Sequence, residues 1–269
     1  MRINGLDLFS GIGGIALALH PWVQTVAYCE IEKYPQKVLR ANMERGNLDT
    51  APIYPDVTTL KGEDLEHRID IITGGFPCQD ISVAGHGAGL EGERSGLFFQ
   101  IVRLACELSP RYIFLENVPA ITRRGGTAVV AELTKIGYDC RWTTLSAKAV
   151  GANHKRERWW LLARLQPSHA RREQTRPNEA IQPESIKSGL QDAPILCEEL
   201  PESWGMVQSG GNGTSRFNAN RWNFEPHVDR VGYGIPHAVD RTIALGNSVV
   251  PLQARVAFEY LLKGTTPCQ

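Results

Sequence analysis

Apolar residues recur along the first 165 positions in two alternating rhythms. Short apolar runs at 5–9, 23–29, 69–73, 111–115, 140–145 and 159–165 predict strands. Between them, apolar residues spaced three and four apart predict helices over 12–19, 35–44, 97–107 and 128–136. Strand–helix alternation of this kind predicts an α/β fold with a largely parallel sheet. In such sheets ligands bind outside the carboxyl ends of the strands, so the residues that follow each strand are the first candidates for chemistry.

Past position 165 the rhythm fades. Pro167, Pro177, Pro183, Pro194 and Pro201 punctuate a polar stretch that runs into Gly210-Gly211-Asn212-Gly213. This composition predicts a small irregular domain or a loosely ordered insert over 166–238. From Arg241 an apolar periodic run resumes, and 251–263 reads as a helix. The segment 239–269 is therefore expected to return and complete the domain formed by 1–165. No internal repeat interrupts this plan.

Composition narrows the class. The 269 residues are 42% hydrophobic and 22% charged, close to a soluble globular protein and long enough to bury a core without disulfides or a structural metal. Lysine plus arginine and aspartate plus glutamate both number 29, so a strongly basic, nucleic-acid-coating protein is excluded while a local basic patch is not. Such a patch exists: between 141 and 176, nine basic residues face only Glu157 and Glu173. It is a reasonable footprint for a phosphate backbone. From 178 to 202 the balance turns acidic, so the second region is not a uniform basic surface.

The six cysteines, at 29, 78, 106, 140, 197 and 268, form no C-x-x-C pair and no tight cluster with histidine. Neither a metal site nor a disulfide scaffold is expected. The opening residues lack a basic stretch followed by an apolar run, so no signal peptide is expected. No stretch approaches the ~18 apolar residues that span a bilayer. The expectation is a cytoplasmic protein with free thiols, and a monomer, since neither half carries a heptad.

The first loop, Asp7-Leu8-Phe9-Ser10-Gly11-Ile12-Gly13-Gly14, follows a strand and opens a helix. Its glycines let backbone amides approach a ligand, yet the spacing is not G-x-G-x-x-G and no Walker lysine is present. Glu30 ends the second strand, where a carboxylate can hold two ribose hydroxyls, and Asp56 follows a third short apolar stretch. A glycine loop with two acids suits an adenosine-bearing cofactor without a pyrophosphate; a tight turn with Glu30 as a solvated strand end suits the spacing equally.

Gly74-Gly75-Phe76-Pro77-Cys78-Gln79 then places Cys78 in a turn at the carboxyl end of a strand, ahead of a glycine-rich loop. That is a seat for a nucleophilic thiolate with a mobile lid, or for a buried structural cysteine. Glu116 leaves an apolar strand on the same edge, where desolvation favours a protonated carboxyl able to donate, although a helix cap or surface ion pair is the alternative. His154-Lys155-Arg156-Glu157-Arg158 precedes the last strand. In an extended chain Arg156 and Arg158 point to one side and can reach one site; a solvated charge run is the plainer reading.

Taken together, these segments resemble the DNA (cytosine-5) methyltransferases, in particular the compact enzymes of phages and prophages. The loop from Asp7 to Gly14, Phe76-Pro77-Cys78-Gln79, Glu116-Asn117-Val118, Arg156-Glu157-Arg158 and Gly246-Asn247-Ser248-Val249-Val250-Pro251 occur in the family's order. The resemblance implies a Rossmann-like methyltransferase domain with a mixed, mostly parallel sheet, plus a small target-recognition region. It also implies S-adenosylmethionine (SAM) as cofactor. Phe9 would face the adenine, Glu30 the ribose and Asp56 the adenine amino group. Ser10, Gly11, Gly13, Leu97, Asn247, Ser248 and Val249 would surround the methionine end, with Asp7, Gly14, Ile31, Val57 and Pro77 completing the cofactor set.

The implied substrate is double-stranded DNA with one cytosine flipped out of the stack. Cys78 would add to C6, Glu116 would hydrogen-bond N3 and the exocyclic amine, Arg158 would donate to O2, and Arg156 would order the acidic neighbourhood. Gln79 and Ser82 are the implied DNA contacts. Two features differ from the family's pattern: His154 stands where a glutamine is usual, and no Arg-x-x-Thr-x-x-Glu segment precedes Gly246. A tRNA methyltransferase of the same plan would carry Pro-Pro-Cys, whereas Phe76 precedes Pro77 here. A non-catalytic DNA-binding relative would be expected to have lost one of Cys78, Glu116, Arg156 or Arg158. Arg216, Asn218, Asn220 and Arg221 are polar candidates for reading bases. A cognate restriction endonuclease is compatible with the reading and not required for activity.

Overall fold

The computed structural model describes residues 2–77, 96–167 and 238–263. Its strands are β1 (Ile3–Leu8), β2 (Val23–Cys29), β3 (Ile53–Tyr54), β4 (Ile71–Gly75), β5 (Tyr112–Asn117), β6 (Tyr138–Ser146) and β7 (Glu157–Leu165). They form one sheet in the order β3-β2-β1-β4-β5-β7-β6. β1 pairs in parallel with both β2 and β4, and β4 with β5. β7 runs antiparallel to its neighbours β5 and β6. The expected α/β class with a mixed, mostly parallel sheet is present. Because the chain builds outward from β1 in one direction and then from β4 in the other, the crevice of the fold opens beyond the carboxyl ends of these two strands.

Helices α1 (Gly14–Leu19), α2 (Lys33–Glu44), α3 (Leu97–Leu108), α4 (Ile121–Arg124) and α5 (Gly126–Lys135) alternate with the strands, and α6 (Ala238–Asn247) and α7 (Pro251–Lys263) follow the second region. Both sheet faces are covered, which explains why the central strands read as nearly continuous apolar runs. Leu6, Leu8, Ile72, Ile113, Leu115, Trp159 and Leu161 face one core, closed by Phe98, Ile101 and Leu104 of α3 and by Val129 and Leu133 of α5. Ile71, Tyr112, Phe114, Trp160 and Leu162 face the other, closed by Ile15 and Leu19 of α1 and by Ala254, Ala257, Phe258 and Leu261 of α7.

An aromatic chain fastens the returning C-terminal helix to the sheet. Phe114 stacks on Trp160 at 5.3 Å and meets Phe258 edge-on at 5.1 Å. Contacts of this kind add about 0.5–1.5 kcal/mol each beyond the area they bury. Helix α7 lies against α1, β6 and β7. The segment 168–237, which holds nearly all of the expected target-recognition region, lies outside the described residues, as do Cys78, Gln79 and Ser82. Among the described residues no helix is long and apolar enough to cross a membrane.

Two boundaries move residues relative to the sequence expectation. Gly74 and Gly75 lie within β4, and Glu116 and Asn117 within β5, because the ladder continues from Gly75 through Glu116 to Trp160. Glu116 therefore projects from a paired strand rather than from a loop.

Candidate active site

Beyond Leu8 the chain turns through left-handed backbone at Phe9 (φ 53°), Gly11 (φ 52°) and Gly13 (φ 86°). Glycine adopts this region freely, whereas a non-glycine residue there costs on the order of 1–3 kcal/mol and persists when its surroundings hold it. Ser10 supplies that hold: its hydroxyl donates to the carbonyls of Asp7 (2.7 Å) and Cys29 (3.3 Å). Glu30 supplies more, since one carboxylate oxygen accepts from Gly11 N at 2.6 Å and the other from Glu32 N at 2.8 Å. The loop also touches the far end of the chain. A Cβ at position 14 would stand 2.8 Å from Val249 Cγ2, so Gly14 lets α1 close onto the turn before α7.

A cavity of about 540 Å³ opens at this sheet edge, lined among others by Phe9, Gly11, Glu30, Pro77, Glu116, Arg158 and Asn247. Residues from six separate segments of the sequence expectation thus meet in one place. Glu116 and Arg158 form an ion pair across β5 and β7, with Arg158 Nε 2.6 Å from Glu116 Oε1. Gly75, opposite Glu116 in the ladder, leaves room for that placement: a Cβ there would stand 2.8 Å from Glu116 Oε2 and push the carboxylate aside. Burial raises the Glu116 carboxyl above its ordinary value; the charges of Arg158 and Arg156 pull it down, and burial prevails.

The alternation of an extended strand would aim Arg156 and Arg158 to one side. The structure differs at Arg156, whose φ of 24° takes it out of the strand. Its guanidinium crosses instead to the carbonyls of Gly246 and Ser248, leaving Arg158 alone in contact with the acid.

Other expected site residues lie around the cavity rather than on its wall. Ile31 is exposed beside Glu30, and Gly13 packs against Leu48 and Leu39. Ser248 and Val249 lie behind Asn247, where the Ser248 hydroxyl donates to Leu245 O and Val249 packs into the core of α1 and α7. Leu97 opens α3 and packs on the larger core. Asp56 and Val57 stay apart: the Asp56 carboxylate accepts from Thr58 N (2.8 Å) and Thr58 Oγ1 (2.7 Å), which lowers its pKa, and buried Val57 gives its carbonyl to Arg103. Among the described residues no group of three or more His, Cys, Asp or Glu side chains is placed to hold a metal ion.

Asp7 sits beneath the loop. It is buried, its Oδ1 accepts from Thr73 Oγ1 at 2.5 Å, and its Oδ2 has no partner among the described residues. Burial pushes its carboxyl from 3.8 up to about 7, opposed by the hydrogen bonds of Thr73 and Ser10. A raised acid stabilises the fold at low pH and loses that contribution as pH rises toward its folded value. Between about pH 5 and 7 this group alone should lower stability by about 1.4 kcal/mol per pH unit and then level off. Thermal melts of the wild type and Asp7→Asn across that range check it: the variant's slope should be flatter, and equal slopes would remove Asp7 from the account.

Several residues at the site escape sequence reasoning. Asn117 Nδ2 donates to Phe76 O at 2.9 Å, fixing the backbone two residues before Cys78, while its Oδ1 accepts from Val118 N. Its signal was available: an amide beside the acid, on the opposite sheet face. Gln36 Nε2 holds Glu30 O at 2.6 Å, and Tyr34, Pro35, Asp240 and Ala244 add to the cavity wall from α2 and α6. Nothing in helical periodicity marks these last residues as different from any other surface of those helices.

The chain is similar to several known methyltransferases. The type II methyltransferase M.CviJI of Paramecium bursaria Chlorella virus IL3A is 38% identical over 164 residues, 61% of this chain and 43% of that protein. The type II methyltransferase M.PspPI of Psychrobacter sp. is 27% identical over 208 residues, 75% of this chain and 49% of that protein. The matched stretch thus spans less than half the length of each relative. The fold resembles the crystal structure of a Spodoptera frugiperda DNMT2 mutant, with a TM-score of 0.51 and 20% identity, covering 66% of this chain and 54% of that one. The C-5 cytosine-specific DNA methylase model matches residues 3–254, and the chain belongs to that family.

Proposed function

We propose that the protein transfers a methyl group from SAM to C5 of a cytosine flipped out of double-stranded DNA. The observation that carries this reading is the shared cavity: the Glu116–Arg158 pair lies on the same wall system as Phe9, Glu30 and Asn247. The residues present fit the cofactor. Phe9 offers a ring to an adenine, Glu30 offers carboxylate lone pairs beyond those used by Gly11 and Glu32, and about 540 Å³ is enough for a nucleoside with a short chain. SAM would supply the methyl group as an electrophile.

The protein's own part is to make cytosine a nucleophile. C5 is unreactive until the ring is saturated at C6, and Cys78, which follows the cavity residue Pro77 in the sequence, is the thiol assigned to that addition. Glu116 holds N3 and the exocyclic amine, accepting or donating as charge builds on the ring. Arg158 orients Glu116 and donates to O2. Loss of the C5 proton then expels the thiolate. A stacked base exposes neither ring face, so base extrusion precedes addition. The basic run between 141 and 176 supports a duplex as the partner. We take the acting form as a monomer in the cytoplasm of a bacterial or phage-infected cell, with no restriction endonuclease required.

The test is to sequence DNA from expressing cells by a method that resolves 5-methylcytosine. Methylation concentrated at one short sequence is the expected result. Methylation found only in RNA, or none from a protein that binds SAM, would overturn the reading in favour of an RNA enzyme or a binding-only relative.

A further inference from the structure

Two sets of hydrogen bonds cross between the β6–β7 hairpin and the turn that joins α6 to α7. From the hairpin, Arg156 Nη2 donates to Gly246 O at 2.7 Å and to Ser248 O, the carbonyls on either side of Asn247. From the other side, Gln253 lies in the first turn of α7 and is wholly buried. Its Nε2 donates to Leu145 O at 2.7 Å and to Arg156 O at 2.9 Å, where the chain leaves one hairpin strand and approaches the other. Arg156 therefore donates to the backbone on either side of Asn247, and Gln253 donates to the backbone of Arg156. Arg156 holds the unfavourable φ of 24° within this arrangement. Two residues on, Arg158 holds Glu116.

We propose that Gln253 and Arg156 are positioning residues: they staple Asn247 into the cofactor end of the cavity and fix it relative to the Glu116–Arg158 pair. The inference rests on the methyltransferase reading above. Packing alone does not account for Gln253, whose Oε1 is buried without a partner among the described residues. An apolar side chain of similar length would fill the space without burying that oxygen. Burial does not hold Asn247: Leu245, Gly246 and Asn247, at the end of α6, are exposed, and the other ties of the turn run through Ser248 and Val249.

SAM titrations of the full-length wild type, Gln253→Met, Arg156→Ala and Arg156→Lys, well below their melting temperatures, test the staple. Gln253→Met should fold and melt modestly below the wild type, because the buried orphan oxygen leaves while the carbonyls of Leu145 and Arg156 lose a donor. Its SAM dissociation constant should rise about tenfold or more. In transfer assays on genomic DNA, the KM for SAM should rise by a similar factor while kcat changes less than about threefold. Arg156→Ala should weaken SAM binding as strongly, and Arg156→Lys, whose ammonium can still donate to both carbonyls, should recover most of it. A residue that only packs would move the melting temperature and leave these ligand constants alone. Wild-type SAM affinity in both Gln253→Met and Arg156→Ala overturns the proposal. If Gln253→Met does not fold, the Arg156 pair decides by itself. A wild type that does not bind SAM overturns the reading beneath the proposal instead.

Discussion

Cells expressing the Cys78→Ser variant should carry no 5-methylcytosine at the sequence the wild type marks, with purified enzyme slower by about 10⁴-fold or more. The size of the effect follows from what the thiol does. Addition to C6 requires an anionic, polarisable nucleophile at neutral pH; a thiol reaches its anion readily, and a serine hydroxyl does not. Replacing one sulfur by one oxygen changes little in volume, so SAM binding should stay within about twofold of the wild type. Binding and chemistry should separate because the residues proposed to hold the cofactor, Phe9, Glu30 and Asn247, follow β1, follow β2 and end α6, whereas Cys78 comes after β4 in the sequence. Asn117 sharpens the expectation, since its bond to Phe76 O fixes the backbone that delivers residue 78. Equal methylation by wild type and variant would remove Cys78 from the reaction.

Much of this architecture is legible in the chain because burial on both faces of a sheet leaves a strong apolar signature. The predicted 23–29 and 251–263 coincide with β2 and α7, whose ends are set by local composition. The two-residue β3 falls in no predicted strand range, and the other strands are displaced by a few residues, β6 and β7 because pairing extends them beyond their apolar cores: Glu157 and Arg158 belong to β7 only through their register with Ser146 and Leu145. The position of β7 between β5 and β6 is a matter of pairing partner, which periodicity does not encode.

The site follows the same division. Phe9, Glu30, Glu116, Arg158 and Asn247 were each readable from a strand end or a motif, and the fold brings them to one cavity. The path of Arg156 was not readable, since it depends on a left-handed backbone angle and on carbonyls ninety residues away. Gln253 left a fainter trace. It falls on the buried stripe of α7 with Ala254, Ala257, Phe258 and Leu261, and a glutamine on such a stripe asks for a partner.

Replacing Glu116 by alanine should lower methyl transfer by about 10³-fold, and Glu116→Gln by about 10²-fold. The two variants differ in what they keep. Glutamine fills the same space over Gly75 and can still donate to a ring nitrogen, but it cannot exchange a proton with the base. Alanine also leaves Arg158 without the carboxylate that now holds it at 2.6 Å. The pH dependence carries the sign. Burial raises the Glu116 carboxyl above the ordinary carboxylate range, so its protonated form persists to higher pH than in an exposed acid. Its protonated fraction falls as pH rises through that raised value, and kcat should fall with it. The descending limb should therefore stand above the ordinary carboxylate range and vanish in Glu116→Gln. Arg158→Ala removes the largest influence that lowers the Glu116 pKa, so there the same limb should move to still higher pH, on a reduced maximum. Profiles of kcat against pH for these variants, read by incorporation of labelled methyl into DNA, decide the matter. A glutamine variant with the wild-type limb would assign the titration to another group, and a limb unmoved by Arg158→Ala would separate the arginine from the acid that it touches.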